Sequence, residues 1–120
     1  MANADLGALR ARWLQLIRHE LPEAARGRPD WPIRLDHCFA RVILDTVYGR
    51  PWREVLAAPA YRNMTEADLR VALTVGEAIL GGEVDLHALD ARSLELRGKR
   101  QKLRQTASTG PRSSGTLRPA

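Results

Sequence analysis

Cysteine is almost missing from this chain: Cys38 is the only one in 120 residues. A lone thiol closes no internal disulfide, and without a Cys-x-x-Cys pair neither a zinc site nor a dithiol redox centre can be built. Phenylalanine is equally sparse, with Phe39 alone beside three Trp and two Tyr. Leu, Val, Ile and Ala must therefore fill most of the core. No run approaches the roughly 18–20 apolar residues that cross a bilayer. The opening MANADLGALRARW lacks the charged start and apolar stretch of a secretory leader. These absences set the expectation of a reduced, cytoplasmic protein with no membrane span. Three scattered histidines without a His-x-x-x-His pair point to no metal site. Gly81-Gly82 opens into Glu83 and Asp85, so no phosphate-cradling loop is present and no cofactor is expected.

Acidic residues are absent from one region. From Arg97 to Ala120 there are seven Lys or Arg and no Asp or Glu. Residues 1–96 hold the other 12 basic residues against 14 acidic ones, a net of −2. The overall charge of +5 thus belongs to the C-terminal stretch and says nothing about the preceding domain. Its last part, TASTGPRSSGTLRPA, is too poor in apolar residues to offset the entropy of ordering. Two regions are expected: a helical bundle domain over 1–96, and a basic helix extension with a disordered tail over 97–120.

What is present reads as helix. Leu6, Leu9, Trp13, Leu16, Ile17 and Glu20 keep three-four spacing and predict a first helix from about Asp5 to Leu21. Pro22 either ends it or opens a short extra turn. ARGRPDWP is a loop by its Gly and Pro content. Pro32 suits a first helical position, and IRLDHCFARVILDTVY follows as the second helix, with Gly49 as its left-handed stop. Its apolar face is Leu35, Cys38, Phe39, Val42 and Thr46, flanked by Ile43 and Val47. PWREVLAA predicts a short third helix and PAYRN a loop. Thr65 and Asp68 resemble a capping box ahead of EADLRVALTVGEAIL. Gly76 inside that fourth helix costs roughly 1 kcal/mol against Ala, which a close helix–helix contact would explain. Asp85 is the cap of a fifth helix that persists to about Arg104. No strand period and no repeat is visible. The expected fold is all-α, a compact bundle of four to five helices around the very apolar second one.

One constellation could carry chemistry. His37, Arg41 and Asp45 fall at i, i+4 and i+8 of the second helix and so share a face, with Arg34 and Tyr48 at the ends of that stripe. Arg offers a planar fork of donors, His a titratable one and Asp45 an orienting acceptor, which suits a small anionic ligand or a protein partner. The plainer account is an Arg41–Asp45 pair along the helix, of about 0.2–0.5 kcal/mol. Trp52 and Tyr61 flank the short third helix and could frame a pocket with that stripe. His37 cannot serve as base to Cys38, since neighbouring helical residues point about 100° apart. In the C-terminal stretch, RGKRQKLR supplies Arg97, Lys99, Arg100, Lys102 and Arg104 for phosphates, with no aromatic residue interleaved for base stacking.

The strings HCFARVILD, YGRPW, PAYRNMT and GEAILGGEVDLHALDARSLELRGKR, spanning about residues 31–101, resemble a group of short bacterial proteins, some identified as GNAT-type N-acetyltransferases. That activity implies a mixed α/β fold and an Arg/Gln-x-x-Gly-x-Gly/Ala loop for coenzyme A. Neither pattern occurs in this chain, and no catalytic residue carries over. The expected function is a non-catalytic small helical binding module. Its contact surface would be His37, Arg41, Asp45, Trp52, Tyr61 and Arg34. The alternatives are nucleic-acid association through the basic extension and an acetyltransferase-related role. Spare apolar surface would suit a homodimer.

Overall fold

The computed structural model describes residues 2–109, with side chains for residues 5–98. The fifth helix, expected to persist to about Arg104, runs to Thr109 and takes in the first residues of the tail expected to be disordered from Thr106; the rest of that tail lies outside the described residues. The architecture is an all-α bundle: α1 (Ala2–Gln15), α2 (Leu21–Arg26), α3 (Asp36–Tyr48), the single turn α4 (Ala60–Asn63), α5 (Glu66–Leu80) and α6 (Leu86–Thr109).

Of the two outcomes left open at Pro22, an end to the first helix or a short extra turn, the structure takes the second. A π-helical turn, Leu16–Glu20, joins α1 to α2 without a break, and the N–H of Leu21 reaches back to the carbonyl of Leu16. Pro22, at the start of α2, explains the turn. It has no N–H to give, and its ring would clash with the carbonyl four residues back in an ordinary α-helix. One wider turn lets the chain continue. Trp13, Leu16, Ile17, Leu21 and Ala25 stay buried across the junction.

α3 starts at Asp36, four residues later than Pro32 suggested. Leu35 before it is extended (φ −103°, ψ 151°). The lead-in is held by its side chains. Ile33 is buried, and Trp31 meets Phe39 edge-on at 5.8 Å. Arg34 donates to the carbonyls of Ala25 and Trp31. Gly49 ends the helix as expected, at φ +70° with its N–H on the Asp45 carbonyl. α3 buries Phe39, Val42, Ile43, Leu44 and Asp45, whereas Leu35 is 57% exposed.

Two short elements exchange roles with the sequence expectation. PWREVLAA forms only a 3-10 turn, Trp52–Glu54. PAYRN, read as loop, supplies the helical turn α4, where Asn63 ties down the carbonyls of Ala57 and Pro59.

α5 occupies the span expected of it. Thr65 Oγ1 accepts the Asp68 N–H at 3.1 Å. The reciprocal half of a capping box is replaced: the Asp68 carboxylate accepts the Tyr48 hydroxyl at 2.9 Å instead. Asp is one methylene shorter than Glu, and its carboxylate serves α3 rather than its own helix. Burial, reinforced by this hydrogen bond and the Asp68 charge, pushes the Tyr48 phenol up to about 12. Unfolded tyrosine titrates near 10, so the folded state keeps the proton to higher pH. The stabilisation is complete below about pH 10 and is lost as pH rises toward 12. Tyr48→Phe should therefore be less stable than the parent at pH 8, and the gap should narrow between pH 10 and 12 in urea melts followed by circular dichroism. A gap independent of pH would refute the assignment.

Gly76 meets the close contact its position implied. A Cβ there would lie 2.5 Å from Leu16 Cδ2 and 3.3 Å from Ile43 Cδ1. The π-turn, α3 and α5 converge on this point. At the C-terminal end of α5, Arg28 stacks on Trp31 at 4.8 Å and donates to the Leu80 carbonyl. Asp85 caps α6 by accepting the N–H groups of His87 and Ala88, and α6 packs along α3.

Candidate functional site

α3 presents Arg41 and Asp45 on one stripe, as the spacing implied, but the stripe faces another helix. The chain returns as α6, and its residues Asp90, Ser93 and Arg97, at i, i+3 and i+7, lie opposite. Asp45 is fully buried. Arg97 grips it with two bonds, Nε to Oδ2 at 2.8 Å and Nη2 to Oδ1 at 3.0 Å. Ser93 Oγ donates to Oδ2 at 2.6 Å. The N–H of Trp52 donates to Oδ1 at 2.9 Å. Each carboxylate oxygen thus accepts two hydrogen bonds, which fills its capacity. Arg41 completes the cluster, with Nη1 on Ser93 Oγ at 2.9 Å and Nη2 on Asp90 Oδ1 at 2.8 Å.

This arrangement answers a physical demand. A buried carboxylate without partners would cost several kcal/mol, and here a bidentate guanidinium, a hydroxyl and a backbone amide satisfy it. The two-pronged Arg97 contact also sets the register of α6 on α3, because only one sliding position keeps both prongs in line. Arg41 and Asp45 do not pair along α3: each pairs across to α6.

The remaining expected site residues separate from this cluster. His37 is exposed beside Asp36, its side chain 74% accessible. Arg34 precedes α3 and is engaged by backbone carbonyls, so it is not on the stripe. Tyr61 is half-buried at α4, where its carbonyl accepts from Arg10 and its ring lies under Arg62 at 5.7 Å. Trp52 is half-buried, attached to the cluster through its amide, and Arg53 lies over its ring at 5.2 Å. Of the basic run, Arg97 is the one whose side chain is described. Lys99, Arg100, Lys102 and Arg104 follow on the same helix, and their side chains lie outside the described residues.

Sequence reasoning missed Asp90, Ser93 and the role of Arg97. A signal was available: two opposite charges and a hydroxyl at helical spacing in α6 complement the Arg41–Asp45 pair of α3. Among the described residues, no group of three or more His, Cys, Asp or Glu is placed to hold a metal, and no helix is long and apolar enough to cross a membrane. Comparison with protein-family models, curated proteins and solved structures finds no match.

Proposed function

We propose that this protein is a non-catalytic interaction module that engages its partner along the edge where the Trp52–Glu54 turn meets α6. The observation that carries this reading is Asp45. A single buried carboxylate holds both the Trp52 amide and the Arg97 guanidinium, so it fixes an exposed turn beside the point where the acidic residues of α6 stop and its basic run begins. Arg41, Asp45, Ser93 and Arg97 bond one another, which suits a role in positioning rather than in chemistry. The bundle then acts as a mount that sets the direction of α6 and the placement of Trp52 and Arg53.

Site-specific photo-cross-linking in cells tests this. A cross-linker at position 53, in the exposed turn, should give adducts. One at position 23, on α2, should not. α2 packs near the other end of α3, roughly 14 Å away along the helix by its rise per residue. Adducts at position 23 alone, or at neither position, would overturn the reading.

A further inference from the structure

We infer that α6 is a releasable strap: residues 86–97 leave α3 as one unit, swinging on the Gly81–Val84 connection, while α1–α5 stay folded. The inference stands apart from the interaction reading above. The main neighbour of α6 is α3. Five side-chain hydrogen bonds join the two, all made by Arg41 and Asp45 on α3 and by Asp90, Ser93 and Arg97 on α6. Apolar packing is thin by comparison. Among the described side chains of α6, Leu86 is the one apolar residue that is buried, Leu89 and Leu96 are half-buried, and Leu94 is 52% exposed. The core lies elsewhere: Leu16, Phe39, Ile43, Leu69, Ala72 and Ile79 are all fully buried, and all come from the π-turn, α3 and α5.

The two kinds of contact respond differently to release. Apolar surface that leaves a core meets water with nothing in return. Buried charges that leave one regain their hydration, which offsets much of the attraction they give up. In the open form Arg41, Asp45, Asp90, Ser93 and Arg97 all reach water, so α6 is held less firmly than α5. The contacts also form one network, because Ser93 bonds both Arg41 and Asp45. A clasp shared from Asp90 to Arg97 lets go together, whereas a fraying helix end loosens turn by turn. The connection suits a hinge: residues 81–85 are exposed, and Gly82 holds φ +73°. Asp85 caps α6 through His87 and Ala88, so the cap moves with the helix. Release turns the Arg41–Asp45 stripe of α3 to solvent and frees the direction of α6.

The test is native-state hydrogen exchange of the full chain, read amide by amide by NMR in urea concentrations below the unfolding transition. An isolated helix is marginal in water, so a released α6 exchanges its amides. Those from Leu89 to Arg97 should share one opening, about a hundredfold or more as frequent as that of the slowest amides of α3 and α5, with a urea dependence well below that of global unfolding. Ile17→Val, in the π-turn, should speed exchange in α5 by about two- to tenfold and leave α6 unchanged, since Ile17 stays packed when α6 opens. Arg97→Gln, which breaks the clasp, should speed exchange in α6 by about tenfold or more. Four results would each overturn the inference. They are protection that fades steadily from Leu89 to Arg97, one opening with one urea dependence across α3, α5 and α6, equal acceleration of α5 and α6 by Ile17→Val, and unchanged exchange of α6 in Arg97→Gln.

Discussion

Asp45→Ala is expected to destabilise the bundle by about 3–5 kcal/mol, the range for removing one partner of a buried ion pair. The loss has three parts. Arg97 keeps its charge without a carboxylate, Ser93 loses its acceptor, and the Trp52 N–H is left unbonded. Arg97 is one-third exposed and can turn partly to water, which places the expected value toward the lower end. At about 4–8 °C per kcal/mol for a domain this size, the melting temperature should drop by roughly 12 °C or more. Chain length supplies a companion measurement. A chain ending at residue 96, where charge alone would end the domain, lacks Arg97 and leaves Asp45 buried without its cation. A chain ending at residue 98 keeps the pair. The shorter chain should be less stable by a similar amount in urea melts, and Asp45→Ala should cost it much less than it costs the full chain. Equal stability of the two truncations would mean that Arg97 does not hold α6.

Gly76→Val should cost about 2–3 kcal/mol. Replacing a mid-helix glycine normally helps, by roughly 1 kcal/mol for Ala and less for a β-branched residue. Here the new Cβ would sit 2.5 Å from Leu16 Cδ2. Leu16 and Ile43, the two side chains in its way, are both fully buried, so neither has open space to move into. Overpacking of this kind costs about 1–3 kcal/mol, and two further methyl groups put Val at the upper end. Gly76→Ala, where the helix gain opposes the clash, should lie between neutral and a loss of about 2 kcal/mol. A cycle with Leu16→Ala separates this from a general helix effect. Leu16→Ala alone should cost about 2–5 kcal/mol. In the Gly76→Val background it should cost at least 1 kcal/mol less, because the valine fills the vacated space. Additive effects would show that Leu16 is not what the side chain meets.

The local features of this chain are those its sequence determines. Gly49 stops α3, Asp85 caps α6 and Thr65 caps α5, because each effect is confined to one turn of backbone. Gly76 was legible for a different reason. An intrinsic penalty in mid-helix implies a compensating contact, although it does not name Leu16 and Ile43. The all-α architecture follows from sustained three-four spacing in the long segments.

The tertiary structure decided whatever depends on residues far apart in the chain. Helical periodicity placed Arg41 and Asp45 on one stripe, yet could not say whether the stripe meets solvent, ligand or another helix. Asp90, Ser93 and Arg97 answer that from 48 to 52 residues away. The late start of α3 depends on Trp31 and Ile33 finding burial outside the helix, which no local rule encodes. Composition ended the domain at residue 96, because charge changes there. The contact that crosses that point, Arg97 on the buried Asp45, joins residues 52 apart and is visible only in the tertiary structure.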